Sequence, residues 1–363
     1  MQCVAGGLDT DEFGLPACMD GAVATDGGDT PSGDASGPGS DASSAGDAES
    51  DATVVDQMAC EQLMCEADGL TVSCCESVQV PGGAFQLGRC GSGSASCSDA
   101  YDGYTSDVPE HDATLSAFAL DRFEVTVGRF RRFVERYDGT PPADGAGAHP
   151  LIAGSGWQSA WDDRLPASRD ALLAHLQCPT NDQFEATWTD TPGTHELYAV
   201  NCVTWYDAFA FCAWEGKRLP TNAEWEYVAA GGEENRLFPW GSDAATPAHA
   251  NSLLGKEPSV PIDEWNAMQF VPVGGYRLGI GRWGHMDLAG NMAEWTLDTV
   301  EPSAYATGTA PCNDCADLIP GPSNFRVLRG GNIHSRERDL RSAGRGLGEP
   351  DGQTDGVGFR CAQ

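Results

Sequence analysis

No lysine or arginine occurs before Arg89, yet the same stretch holds sixteen aspartates and glutamates. So one-sided a segment repels itself, and the folded part of the chain is expected to lie mainly beyond it. Within it, residues 24–54 are almost entirely Asp, Gly, Ser, Ala, Thr and Pro, with too little apolar surface to offset the entropy of ordering. Residues 1–56 therefore read as a disordered acidic tether that holds the following domain away from its anchor. The other 38 acidic residues (54 less 16) face 21 basic ones, leaving the remainder at −17 of the total −33. With no basic stripe, nucleic acid is excluded as a partner, and an anionic membrane surface is disfavoured. The acid solubilises a secreted protein, and it would also suit divalent cations or basic partners.

Fourteen cysteines, many in close pairs with few histidines nearby, indicate disulfides rather than zinc and hence an oxidising compartment. Residues 57–77 hold four of them and read as a small disulfide-knitted segment. Spacing suggests the pairings Cys90–Cys97, Cys178–Cys202 and Cys312–Cys315. The CysAsnAspCys run at 312 would also suit redox chemistry, although no adjacent helix or basic residue would lower a thiol pKa. No run of 18 apolar residues exists, so no transmembrane helix is expected. The opening MQCVAGGLDTDEFG has neither a charged n-region nor an apolar h-region. The expectation is an extracytoplasmic protein (periplasmic, at the outer membrane surface or secreted) whose signal lies upstream, with Cys3 as a lipid-anchor site.

From Val78 the residues alternate like a strand interrupted by a Pro-Gly turn, and Thr114–Leu120 reads as another strand. Thr126 caps a helix with Phe130, Phe133, Val134 and Tyr137 on one face. A long insertion-like region follows, with a short helix carrying Leu172, Leu173 and Leu176. Trp205–Trp214 reads as a helix closed by Gly216. Thr221 and Glu224 form a capping box for a further helix that buries Trp225 and Val228. Short strands are expected near Val271, Phe325 and Val357. Few helices and many irregular segments imply an α+β domain over residues 78–363.

Seven blocks in register carry a resemblance. VPGGAFQLG starts at Val80, FALDRFEVT at Phe118 and VTWYDAFAFCAWEGKRLPTNAEWEY at Val203; FPWG occupies 238–241 and GHMDLAGNMAEW 284–295. RVLRGGN at 326–332 and GFRC at 358–361 complete the set. The chain resembles the formylglycine-generating enzyme, or sulfatase-modifying factor, family. That implies a variant of the C-type lectin fold with little regular secondary structure. Independently of the resemblance, the tryptophans read as core, and Arg218 and Arg360 as partners of buried carboxylates.

The resemblance implies a calcium site formed by the Asp287 and Glu294 side chains and the Gly290 and Met292 carbonyls. Two carboxylates flanking a Gly-Asn turn suit a cation that seeks several oxygens, although Asp287 could equally cap a turn and Glu294 pair with an arginine. A second implied site begins at Asn251 and Ser252, with Asp263 as its carboxylate. Cys212 and Cys361 match a long-range family disulfide, whereas Ala229 and Ser342 stand where a second would be. Active members are copper-dependent oxidases that convert a sulfatase cysteine to formylglycine through two Cu(I)-binding thiolates. Here Ser335 stands at the first copper position, no cysteine stands at the second, and Ala293 replaces a tryptophan. A hydroxyl cannot replace a thiolate for Cu(I), so copper is not expected. His334, Glu337 and Asp339, with His285, would offer nitrogen and carboxylate ligands for iron, but a solvated charged loop is the plainer reading.

The function expected is that of a tethered, non-catalytic binding or structural module for a protein or glycan ligand. Its contacts would fall between Asn332 and Asp355, including Arg336 and Arg338. The alternative is an oxidase of formylglycine-generating type, or an iron-dependent oxygenase, with altered ligands.

Overall fold

Thr126, Thr204 and Thr221 each open a helix in the same way, the side-chain oxygen accepting the amide three residues on. At Thr204 and Thr221 the reciprocal bond is also made, by Asp207 and Glu224, closing two capping boxes. The helices so started are α1 (Val127–Arg136), α3 (Trp205–Trp214) and α4 (Asn222–Ala230); α2 (Arg169–His175) is capped by Ser168. Gly231 ends α4 at φ +68°, a left-handed cap that glycine adopts without a Cβ penalty.

The computed structural model describes residues 63–89, 110–178, 185–256, 269–299, 311–319 and 324–363. All belong to one unit, Glu49–Gln363. The tether 1–56, Cys3, the Cys90–Cys97 pairing and Asp263 lie outside the described residues.

The strands form small separate sheets. β1 (Met64–Ala67) and β2 (Leu70–Ser73) make a hairpin, closed by the Cys65–Cys74 disulfide. Its Cys65 and Ala67 pack on Phe123, Ala199, Met286 and Met292, so the cysteine-rich segment is built onto the core. β3 (Ser77–Val80) pairs with β6 (Phe118–Asp121), and β4 (Gly83–Leu87) with β5 (His111–Leu115), which also carries the short parallel β8 (Cys312–Asn313). The central sheet has the order β10 (Arg345–Gly348), β9 (Arg326–Arg329), β7 (Ala293–Thr299), β11 (Val357–Gly358). Every residue of β7 is buried, although its sequence AEWTLDT alternates apolar and polar as a half-buried strand would.

Two expectations are corrected. Thr114–Leu120 is two strands rather than one. The Ser116 amide and hydroxyl both donate to Asp314, at 2.6 and 2.8 Å, and this contact interrupts the run. Near Val271 there is only an isolated antiparallel bridge between Tyr198 and Pro272, made through the Val273 amide and the Leu197 carbonyl.

The larger core lies between α1 and α3, where Phe130 stacks on Phe211 at 5.2 Å and Trp205, Trp157 and Phe209 interlock. The buried Arg326 guanidinium lies 3.7 Å over the Trp205 ring, a cation–π contact strengthened by desolvation. The C-terminal residues close the domain. Phe359, Cys361, Ala362 and Gln363 exchange backbone hydrogen bonds with Val125, Asp121, Arg218 and Ala119 respectively. Cys361 is disulfide-bonded to Cys212 of α3, 149 residues away. Cys178–Cys202 and Cys312–Cys315 are also formed.

Two buried carboxylates stitch these parts. Asp121 is within 2.7 Å of both Arg129 and Lys217, and its other contacts are the Ser77 hydroxyl and the Cys361 amide. Glu224 is gripped by Arg218 at 2.7 and 2.5 Å. Burial alone would raise both acids, but the adjacent cations outweigh it and hold each at about 2. A carboxyl depressed in the folded state stabilises above its unfolded pKa, and that contribution is lost as pH falls through the folded value. Stability in urea should therefore decline from about pH 4.5 towards pH 2. Glu224→Gln should be less stable at neutral pH and show a shallower acid slope; an unchanged slope would contradict the assignment.

Candidate functional site

The segment that leads into β7 carries the implied calcium ligands. It enters as a tight turn: Asp287 (φ +56°) and Asn291 (φ +59°) are left-handed, a conformation that Asn and Asp tolerate better than most residues. Gly290 (φ +76°) admits no side chain, since a Cβ would stand 2.4 Å from the Asn251 carbonyl oxygen. The Asn291 amide donates to that same carbonyl at 2.9 Å. Asn251, which the resemblance assigns to a second ion, thus lies directly against the first segment, with Ser252 buried beside it.

Three buried carboxylates share this region. Asp287 accepts the Gly274 amide at 2.5 Å. Glu294 is held by Arg360 through both oxygens at 2.7 Å, and one oxygen also accepts the Trp225 indole N–H at 2.9 Å. The third is Glu124, which accepts the Met292 amide at 2.9 Å and the Asn291 side-chain amide. Sequence reasoning did not assign Glu124, although an acid in the apolar run FALDRFEV was the available signal. Burial, then the charges of Asp287 and Glu294, push the Glu124 carboxyl well above the usual carboxylate range. Burial also lifts Asp287 to about 6, against the pull of the Gly274 amide and Arg360.

Arg360 is the cation within this group. Its five N–H donors go to the two Glu294 oxygens and to the carbonyls of Asp121, Arg122 and Met286. Arg218 and Arg360 are thus both partners of buried acids, as expected.

Ser335, which the resemblance aligns with a copper ligand, lies elsewhere, on a cavity of about 200 Å³ whose lining also includes Ala293, Leu328, Asn332, Asp339 and Arg345. The Ser335 hydroxyl is used locally: it accepts the Asn332 amide at 2.9 Å and lies 3.3 Å from the Asn332 side-chain oxygen. His334 faces Asp355 at 3.5 Å. His285 is fully buried with its Nε2 3.3 Å from the Leu120 carbonyl, so the two histidines serve different neighbours. Glu337 and Arg338 sit on a short 3₁₀ turn, where Arg338 is exposed and within 3.3 Å of Asp339. The Arg336 amide donates to Asp339 at 3.3 Å. The expected contact residues therefore divide, Asn332 lining the cavity and Arg338 pointing to solvent. Every cysteine among the described residues is disulfide-bonded. Where the second family disulfide is missing, the Ser342 hydroxyl donates to the Ala229 carbonyl at 3.0 Å and keeps the two segments joined. No group of three or more His, Cys, Asp or Glu side chains among the described residues is arranged to hold a metal ion by side chains alone.

This frame defines an α+β domain of the formylglycine-generating type. The family profile of the sulfatase-modifying factor enzyme 1-like domain matches residues 65–363, and the chain belongs to that family. It is 34% identical over 306 residues to the formylglycine-generating enzyme of Streptomyces coelicolor, covering 78% of this chain and 88% of that protein. It is 30% identical over 300 residues to the inactive C-alpha-formylglycine-generating enzyme 2 of Mus musculus, covering 78% and 84%. The structure of PvdO from Pseudomonas aeruginosa matches with a TM-score of 0.51 at 23% identity, over 79% of this chain and 93% of that one, a likeness of fold.

Removing the cation from three buried acids should be costly. Arg360→Met is expected to lower unfolding free energy by about 3–5 kcal/mol, whereas Arg338→Met at the exposed pair should stay within about 1 kcal/mol. Chemical denaturation of both variants checks the contrast, and equal losses would contradict it.

Proposed function

We propose that this chain is a non-catalytic member of the family, in which the scaffold presents the Ser335 cavity for binding a protein or glycan ligand. The observation that carries this reading is the chemistry of that cavity. Ser335, which the family resemblance places at the first copper position, lines that cavity, and every described cysteine is in a disulfide. Cu(I) is soft and prefers thiolates, which a serine hydroxyl and amide oxygens do not imitate. A mammalian relative at 30% identity is named as inactive, which supports this reading.

The four described disulfides and the family membership support an oxidising, extracytoplasmic setting. Among the described residues no helix is long and apolar enough to cross a membrane. In this reading residues 1–56 are a tether, anchored through Cys3 if that residue is lipidated.

Calcium is part of the proposal. Asp287 and Glu294 with the Gly290 and Met292 carbonyls would hold one ion, and Asn251 and Ser252 would contribute to a second. The donor chemistry fits a hard cation: three carboxylates share one arginine, which leaves an excess of negative charge in a buried turn rich in carbonyls. Since Arg360 already engages both Glu294 oxygens, Asp287 is the more available carboxylate. Bound calcium would supply the missing positive charge and fix the turn. Saturating calcium should raise the melting temperature of protein freed of metal by chelation, and Asp287→Ala should abolish the rise; equal shifts in both would remove Asp287 from the site.

The decisive experiment is oxygen uptake by the purified full chain with a cysteine-containing peptide, after loading with copper or iron. No uptake above the metal-free blank is expected. Stoichiometric copper or iron with turnover of the peptide would establish an altered-ligand oxidase instead.

A further inference from the structure

The CysAsnAspCys motif is not used by the proposed cavity. Its disulfide, Cys312–Cys315, closes the smallest loop of the four, with a sequence separation of 3 against 9, 24 and 149. Loop-closure entropy grows with loop length, so this bridge constrains the unfolded chain least. It also differs in access. In the other three bridges, Cys65, Cys74, Cys178, Cys202, Cys212 and Cys361 are all buried, whereas here Cys312 is buried and Cys315 half-buried; Cys75, also disulfide-bonded, is half-buried too.

The segment does not need the bridge to stay in place. β8 pairs in parallel with β5 through Ala113 and Thr114, and Asp314 accepts from both the amide and the hydroxyl of Ser116. Beyond Cys315, the Asp317 amide donates to Asp298 at 2.9 Å, and the Asp317 carbonyl accepts from the Thr299 amide at 2.7 Å. These anchors hold both ends of the motif against β5 and β7. A bridge that adds little constraint, spans two anchored ends and leaves one of its cysteines only half-buried is better suited to chemistry than to stapling.

We propose that Cys312–Cys315 is a thiol–disulfide exchange site that accepts electrons from an external dithiol, entering at Cys315. The dithiol's thiolate attacks the Cys315 sulfur, the S–S bond breaks, and its electron pair leaves on the buried Cys312 sulfur, which takes a proton from solvent. The dithiol's second thiol then attacks its own sulfur in the mixed disulfide. A cyclic disulfide leaves, and Cys315 is released and protonated. Overall two electrons and two protons pass to the protein, and the dithiol is oxidised to its disulfide. The site is separate from the Ser335 cavity, and its exchange does not depend on a metal.

The test is native-state reduction of the full chain with dithiothreitol, quenched by alkylation at intervals and mapped by mass spectrometry, with near-ultraviolet circular dichroism followed in parallel. Cys312 and Cys315 should be alkylated at least about tenfold faster than Cys178, Cys202, Cys212 or Cys361, while the dichroism is retained. Alkylation in step with Cys212 and Cys361, or only once the dichroism is lost, would overturn the proposal. Replacing both residues, C312S with C315S, should leave a folded protein with an unchanged near-ultraviolet spectrum. Failure of that variant to fold would show the bridge to be structural and would equally overturn it.

Discussion

The five hydrogen bonds of Arg360 are the contact on which the rest of the domain depends. This one side chain, near the end of the chain, joins β7 through Glu294, the end of β6 through the carbonyls of Asp121 and Arg122, and the metal-type turn through Met286. Its residue neighbours carry the same closure further, because Phe359 and Cys361 accept backbone bonds from Val125 and Asp121, and Cys361 is tied to α3. A fold assembled from short separate sheets has little ladder energy to rely on. Buried charge pairs at Arg360, Arg218 and Asp121 supply the specificity instead, each with its hydrogen-bonding capacity directed at a different segment.

Much of this frame was legible in the residues. The capping box at Thr221 marked the start of α4, since an N-cap is a local device whose partners lie three positions away, and Trp205–Trp214 read as the helix that α3 is. Likewise Cys178–Cys202 and Cys312–Cys315 followed from spacing, and Cys212–Cys361 from the family resemblance. What escaped was non-local. β7 is buried on both faces, which the apolar–polar alternation of AEWTLDT does not foretell. The break at Ser116 comes from Asp314, nearly two hundred residues later in the chain. Glu124 joins Asp287 and Glu294 only because α1's entry segment passes behind the turn, and no local pattern marks that approach.

The comparison of scaffold with reaction is sharpest at three positions. Where a second family bridge is absent, a Ser342–Ala229 hydrogen bond preserves the contact. Where a tryptophan is expected, Ala293 leaves room that becomes part of the cavity. Where a copper thiolate is expected, Ser335 stabilises its own turn through Asn332. The first substitution keeps the architecture; the other two remove groups associated with the oxidation. Such a division is what a domain retained for binding would show, with structural losses compensated and chemical ones left open.

In the proposed reading this scaffold has no site of its own for cuprous ion, and a competition titration of Cu(I) between the purified chain and a chromophoric chelator tests that absence. The wild-type chain should draw no more Cu(I) from the chelator than a Ser335→Ala variant does. Stoichiometric capture by the wild type, lost in that variant, would contradict the claim and return copper chemistry to the cavity.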